Sequence, residues 1–516
     1  MDRAVAYVDR ADQAIHIADD TGTSFPTTAV EPHVSYGNLT WTGTELVAVR
    51  ELLAGDEIVA LDATGTSPRP LLASPGFLGS PRVHDERLAW LQWGADRMPW
   101  DGSELWVANY RDRSIFAAQQ VAGGPDESVV EPQWDANGNL TFLSDRSGWW
   151  NLYRWDGHTT HSVAPMPADC AAAPWELGYA SYAHLSARRV ALTVHAGPQQ
   201  QIVVVDQSGE LAALDLPVTS IKPYVAATDG GVAVIAASAT ALPHVIHVDL
   251  AGPTPRWQPI MSVDAVYVAE AVAARPLVID GPAGPLHALL YPPVGATGEW
   301  RAPLIVRAHP GPTASMPARL DGQVQLFCSH GFAVVDVDYR GSTSYSRAFR
   351  QSLYGRWGTA DVEDCTAVAQ YLVAAGNAQP EQVFIMGASA GGYTALQAVC
   401  ATDVFAAAIA RSAIVDPWRW QRTAPRWQRA HASALAGPAG AVRADRIRRP
   451  VLFIHGADDD VAPLTDVRAL ANTMGDHGLD HELVVLGDSA HEVTAFDDNT
   501  FALMAELDFL RRHVRT

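Results

Sequence analysis

The sequence predicts two domains, an all-β half over residues 1–268 and an α/β half over residues 269–516. Three observations carry this. The first half repeats a strand–turn–strand pattern and shows almost no helical periodicity. The second half alternates continuous apolar strands with amphipathic helices. Within that half, one apolar strand runs straight into Gly387-Ala388-Ser389-Ala390-Gly391 and then into a helix.

Length and composition set the frame. A chain of 516 residues has room for two to four domains. Apolar residues make up 48%, enough for a sizeable core. With 36 basic against 57 acidic residues, the formal charge is −21, which argues against nucleic acid or an anionic membrane as a partner. Lys222 is the single lysine, so Schiff-base chemistry and a phosphate-loop lysine are close to excluded. Cys170, Cys328, Cys365 and Cys400 form no CxxC pair. Their spacing suggests neither a zinc site nor a disulfide framework, and a reducing, cytoplasmic setting is expected. The residues from Met1 onward have no apolar run like a leader, and no stretch nears the ~18 apolar residues a spanning helix needs.

In the first half, the recurring second strands are Ala14–Asp19, Glu57–Asp62, Glu104–Ala108, Asn151–Asp156, Gln201–Asp206 and His244–Asp249. Their ends are 43, 46, 48, 50 and 43 residues apart. A period of roughly 40–50 residues built from strands alone marks the blades of a β-propeller. Six blades are expected, or seven with one degenerate. The many tryptophans of this half are expected to pack between blades.

In the second half, strands are predicted at Leu304–Ala308, Phe332–Asp338, Val383–Met386, Ala406–Arg411, Val451–Ile454 and Glu482–Leu486. Helices are predicted at Val362–Ala374, Gly391–Cys400, Leu464–Met474 and Thr500–Val514. Continuous apolar strands between amphipathic helices imply a parallel sheet covered on both faces. With a Gly-x-Ser-x-Gly turn between one strand and its helix, an α/β-hydrolase domain is expected.

The chemistry follows from position. Glycines flanking Ser389 allow a sharp strand-to-helix turn that lifts the hydroxyl clear of the sheet. A nucleophilic serine needs a base, and the base needs an orienting carboxylate, in chain order Ser, Asp, His. His491 follows the strand Glu482–Leu486 and is the expected base; His477 and His481 precede that strand and are weaker alternatives. Asp459 follows the strand Val451–Ile454 and is the expected carboxylate, with Asp458 the runner-up. His455 reads as structural. One oxyanion donor should be the Ala390 N–H. The other should come from His309-Pro310-Gly311-Pro312, where the prolines have no N–H and Gly311 is the expected donor. No metal-ligand cluster and no cofactor motif is visible.

These residues carry a family resemblance. The stretches are His309–Pro312, Tyr339–Ser342, Gly355–Gly358 with Asp361 and Asp364, Gly387–Gly392, His455–Pro463 and His491. In the first half they are Met98–Gly102 and Leu143–Tyr153. The chain resembles the prolyl oligopeptidase family of serine peptidases, in its bacterial dipeptidyl-aminopeptidase and acylaminoacyl-peptidase branch. The resemblance implies a propeller that restricts entry to short peptides. It also implies Ser389, Asp459 and His491 as catalytic triad and Gly311 with Ala390 as oxyanion hole. The expected activity is hydrolysis of peptide or aminoacyl amide bonds, with an esterase or non-peptide amidase as the alternative.

Three features depart from the family pattern. His309 is followed by proline rather than a first glycine. Val461 stands where many members carry Arg or Asn, and the propeller half is short. The segment Arg411–Arg449 lies where members place part of the substrate pocket; Trp418 and Trp420 are candidate walls there, beside Val461. The plainer reading of that segment is a solvated, partly helical cover.

Overall fold

The computed structural model describes residues 5–18, 24–62, 67–252, 254–260 and 271–514. The expected boundary at 268/269 lies outside the described residues. The chain divides into two compact units. One comprises Met1–Thr193, Ile202–Ala213 and Pro223–Val232; the other comprises Val194–Gln201, Leu214–Lys222 and Ala233–Thr516.

The β-rich part contains six sheets among the described residues, one of three strands and five of four, each running in chain order. This is the blade architecture that the spacing predicts. Each four-stranded sheet has one of the recurring strands as its third member: Gly55–Asp62, Glu104–Arg111, Asn151–Trp155, Gln199–Asp206 and Ala241–Asp249. Ile15–Ala18 is the middle strand of the three-stranded sheet. The aspartates at these strand ends have a local reason. Asp156 accepts the N–H groups of His158 and Thr159, Asp206 those of Ser208 and Glu210, and Asp249 that of Ala251. Each carboxylate closes the turn into the next strand.

A second periodic feature was not visible in the sequence. The first strands Ser35–Trp41, Phe77–His84 and Val129–Trp134 each carry an irregularity at the same place. At each one a non-glycine residue has positive φ: Asn38 at 49°, Ser80 at 48° and Glu131 at 55°. Such bulges bend a strand and increase its twist. Apolar packing lies between adjacent sheets, as with Val47, Ile58 and Ala60 against Leu78, Leu88 and Trp90. Trp100 and Trp150 are fully buried, whereas Trp41 and Trp257 are exposed.

The α/β part is built on eight strands: β1 (Arg275–Gly281), β2 (Gly284–Tyr291), β3 (Ala302–Ala308), β4 (Ala333–Asp338), β5 (Ala378–Ala388), β6 (Ala407–Arg411), β7 (Val451–Gly456) and β8 (His481–Leu486). They lie in the order β1-β2-β4-β3-β5-β6-β7-β8. The sheet is mixed rather than wholly parallel, because β1 and β2 pair antiparallel with each other and β2 pairs antiparallel with β4. The sequence reading missed this hairpin because β1 is mostly exposed and lacks the continuous apolar run of the inner strands. The helices are α1 (Gly322–Ser329), α2 (Arg347–Gln351), α3 (Ala360–Ala374), α4 (Ala390–Ala401), α5 (Pro417–Thr423), α6 (Arg429–Leu435), α7 (Leu464–Asp476) and α8 (Phe496–His513). Side chains alternate across the sheet. Val306, Val335, Ile385, Ala408 and Phe453 pack on one face with α3, α4 and α7. Ile305, Val334, Phe384, Ile409 and Leu452 pack on the other with α1 and α8.

Several buried charged groups inside this unit are paired. Arg307 on β3 bonds Asp336 of β4 at 2.5 Å and Asp321, the N-cap of α1, at 3.0 Å. Asp338, at the end of β4, accepts the Tyr345 hydroxyl at 2.5 Å and the Met316 N–H at 2.8 Å. Burial pushes the Asp338 carboxyl up to about 7, against the pull of these two donors.

Because the folded-state value lies above the ordinary one, the stability gained by holding this proton is fully present below about pH 4. It is lost as pH rises through about 7. Asp338→Asn keeps an acceptor for Tyr345 but has no proton to lose. Its melting temperature relative to the parent should therefore climb steadily from pH 4 to pH 7.5 in thermal denaturation; a constant offset would contradict the buried, protonated carboxyl.

Candidate active site

Strand β5 ends at Ala388 and α4 begins at Ala390, so one residue makes the turn. That residue, Ser389, has φ 51° and ψ −115°. A non-glycine residue there carries strain of about 1–3 kcal/mol, which the surroundings must hold in place. Two contacts do so. The Ser389 N–H donates to the Arg411 carbonyl at 2.9 Å, and the Ser389 carbonyl accepts the Tyr393 N–H at 3.2 Å. The flanking glycines are required by proximity. A Cβ on Gly387 would lie 2.3 Å from the Gly391 backbone, and one on Gly391 would lie 2.2 Å from the Ala308 carbonyl oxygen.

The structure brings three of the expected residues into one hydrogen-bonded chain. His491 Nε2 lies 2.9 Å from Ser389 Oγ. His491 Nδ1 lies 2.9 Å and 3.0 Å from the two Asp459 oxygens. A carboxylate can only accept, so Nδ1 carries the proton and Nε2 is free to accept from Ser389. Asp459 is buried and Asp458 exposed, although they are neighbours. His477 caps the end of α7, and His481 Nδ1 bonds the Leu479 carbonyl.

Asp459 is held as an anion. Burial alone would raise its pKa. Hydrogen bonds from His455 and His491 and the N–H of Ala462 outweigh that and hold it well below the usual carboxylate range. The Val461 N–H also donates to it, at 3.0 Å. His455, read as structural from sequence, sits 3.2 Å from Asp459 and 2.7 Å from the Ala462 carbonyl. It thus anchors both the carboxylate and its loop. A contact that sequence reasoning missed is Ser412, whose hydroxyl donates to the His491 carbonyl at 3.0 Å. Its position just past β6, at the carboxyl edge of the sheet, was the available signal.

The motifs that carried the resemblance form the scaffold under this turn. Arg340 binds Asp364 of α3 through its side chain at 3.0 Å and its N–H at 2.7 Å. Asp361, also on α3, accepts the Gly358 N–H at 2.7 Å and the Thr394 hydroxyl of α4 at 2.5 Å.

The other expected residues are placed as follows. The Ala390 N–H donates to the Pro310 carbonyl at 3.1 Å. The Gly311 carbonyl accepts from His309 Nδ1 at 2.6 Å. Trp418 is 48% exposed on α5. Trp420 is buried, edge-on to Trp357 at 5.9 Å, so it serves the core; the cleft it shares with Ala462 and Pro463 holds only about 10 Å³. Between Arg411 and Arg449 lie α5, α6 and two short 3₁₀ turns, a partly helical cover. Two of its arginines are held in ion pairs, Arg419 with Asp466 and Arg443 with Asp445. Among the described residues, no group of three His, Cys, Asp or Glu side chains is placed to hold a metal ion, and no helix is long and apolar enough to cross a membrane.

Blade-like sheets, an α/β-hydrolase sheet and a Ser–His–Asp chain at a strained strand-to-helix turn define a class of two-domain propeller-hydrolase proteins. Residues 318–516 match the prolyl oligopeptidase family, and the chain carries a domain of that family. A dipeptidyl aminopeptidase BIII of Pseudoxanthomonas mexicana is 27% identical over 217 residues, covering 38% of this chain and 31% of that protein. An acylamino-acid-releasing enzyme of Arabidopsis thaliana is 24% identical over 208 residues, covering 37% and 27%. The match thus spans about a third of the length of these relatives. Among solved structures, a Mycobacterium tuberculosis puromycin-hydrolyzing peptidase is 29% identical with a TM-score of 0.92, covering 99% of this chain and 84% of that one. A puromycin hydrolase is 27% identical with a TM-score of 0.93 over the same shares.

The close approach of α4 to β3 yields a stability prediction. Gly391→Ala drives a methyl group into the Ala308 and His309 carbonyl oxygens, which are backbone and cannot swing away. A loss of about 3 kcal/mol or more is expected in urea denaturation; a loss under about 0.5 kcal/mol would mean that the two segments are less tightly apposed.

Proposed function

We propose that this chain is a serine peptidase that hydrolyses peptide or aminoacyl amide bonds of short substrates through an acyl-enzyme. The unbroken chain Ser389–His491–Asp459 is the observation that carries the reading. Ser389 Oγ attacks the scissile carbonyl carbon while His491 Nε2 takes its proton. Asp459 keeps the imidazole in the tautomer with Nε2 unprotonated and stabilises the imidazolium once it forms. The C–N bond then breaks and His491 passes the proton to the leaving amine. Water, deprotonated by His491, attacks the acyl-enzyme, and Ser389 is regenerated as the acid product leaves. The N–H groups of Ala390 and Gly311 serve the oxyanion.

The substrate class follows from the relatives. Two structurally similar proteins are named for hydrolysing puromycin, and a third structure of that enzyme holds the ligand PGG. Puromycin and short aminoacyl amides are therefore the first substrates to offer. An esterase is the competing reading. Its support is Val461, whose side chain offers no charge or hydrogen bond to a substrate carbonyl. We place the protein in a reducing, cytoplasmic setting, in keeping with four free cysteines.

Ser389→Ala should lower amide turnover by at least about 10³-fold while the melting temperature stays near that of the parent. Asp459→Asn should lower kcat by up to about 10⁴-fold, because the amide favours the wrong imidazole tautomer. Aminoacyl, dipeptidyl and acyl-aminoacyl amides assayed beside short acyl esters decide the substrate class. Turnover of esters alone would replace the peptidase reading, and undiminished turnover in Ser389→Ala would end both.

A further inference from the structure

This inference rests on the serine-hydrolase reading above. Acyl transfer needs N–H groups aimed where the carbonyl oxygen gains charge. In the structure the Ala390 N–H is instead donated to the Pro310 carbonyl, at 3.1 Å. A planar trans peptide points its C=O and N–H in opposite directions. The Gly311 N–H belongs to the same peptide plane as the Pro310 carbonyl, so it faces away from Ala390. One peptide plane therefore occupies one expected donor and turns the other away.

The planes on either side are pinned. Tyr339 Oη donates to the His309 carbonyl at 3.0 Å and lies 3.4 Å from the Gly311 carbonyl. His309 Nδ1–H donates to the Gly311 carbonyl at 2.6 Å. The His309 ring stacks on the Tyr339 ring at 4.0 Å, with 14° between the planes. Both side chains are fully buried. Burial keeps the phenol protonated, so it stays a donor, and lowers the His309 imidazole to about 3, so it stays neutral. The two pinned peptides precede Pro310 and Pro312 and carry no N–H.

Turning the central plane alters only ψ of Pro310 and φ of Gly311. Proline fixes φ but leaves ψ free, and glycine accepts φ of either sign. In the structure Gly311 is not in the left-handed region. Rotation by about half a turn would carry it to a φ that other residues avoid.

We propose that Tyr339 and His309 are positioning residues for a peptide flip, holding the carbonyls of His309 and Gly311 still while the Pro310–Gly311 plane turns on arrival of a substrate carbonyl. The flip frees the Ala390 N–H and sets the Gly311 N–H beside it, so that the oxyanion hole is assembled by its own ligand. At rest, the Pro310 carbonyl satisfies a donor that would otherwise be left unpaired. In the reaction a charged oxygen displaces it, because charge-assisted bonds are the stronger ones.

Crystal structures of the free enzyme and of its Ser389 adduct with an alkyl boronic acid test this directly. In the adduct, the N–H groups of Gly311 and Ala390 should both lie about 2.7–3.1 Å from one boronate oxygen, with the Pro310 carbonyl turned away. An adduct in which Ala390 still donates to Pro310, or a free enzyme with Gly311 N–H already turned inward, would overturn the flip. Kinetics gives a second reading. Gly311→Ala, penalised in the turned state, should lower kcat about tenfold or more with KM little changed. Tyr339→Phe keeps the ring stack and loses only the hydroxyl, and should lower kcat about five- to tenfold, again with KM little changed. A wild-type enzyme that cleaves neither amides nor esters would sink the hydrolase reading. An active one whose kcat survives in both variants would sink the flip alone.

Discussion

The whole α/β unit turns on a contact of backbone against backbone. The N-terminus of α4 lies so close to the end of β3 that a single methyl group on Gly391 would collide with the Ala308 carbonyl. Glycine at that position allows the approach, and the approach forces the sharp turn that places Ser389 at positive φ. Strain at one residue persists only when its neighbours over-determine it. Here they do: β5, β6 and α4 all bond to the turn, and Asp361 ties α4 to α3 through Thr394.

From that fixed point the rest of the site follows by the geometry of the sheet. The strands β5, β6 and β7 are parallel neighbours, so their carboxyl ends line one edge. Ser389 follows β5, Ser412 follows β6, and Asp459 follows β7, while His491 arrives from the loop after β8. Ser412 holds the His491 backbone and Asp459 holds its ring. The Asp459 charge is maintained in a buried place because four donors converge on it: two imidazoles and the N–H groups of Val461 and Ala462. An unpaired anion there would cost several kcal/mol.

Much of this was legible in the residues. Continuous apolar runs marked the inner strands β3 to β7, because a strand covered on both faces has no polar side to show. The aspartates ending the repeated strands were readable as punctuation, and the structure shows why, since each caps its own turn. Other features left no such mark. Strand β1 is mostly exposed and lacks a continuous apolar run, so the β1–β2 hairpin left no clear mark in the sequence. The bulges at Asn38, Ser80 and Glu131 share no residue type, because a positive φ is imposed by the partner strand rather than by the side chain. Trp420 had the composition of a pocket wall, yet its neighbours Trp357 and Ala462 decide that it is core.

The division between sequence and structure has a physical basis. The sequence by itself determined what depends on local chemistry and chain order: the repeat period, the strand–Gly–x–Ser–x–Gly–helix unit, and the identities of one serine, one histidine and a pair of adjacent aspartates. Only the tertiary structure decided what depends on direction in space. It turned Asp459 inward and Asp458 outward, a choice set by which way one loop leaves β7. It also gave His455 a second task at Asp459 and aimed the Pro310 carbonyl at the Ala390 N–H. A peptide plane can face either way without any change in composition, so its orientation is written in the packing around it and not in the residues that form it.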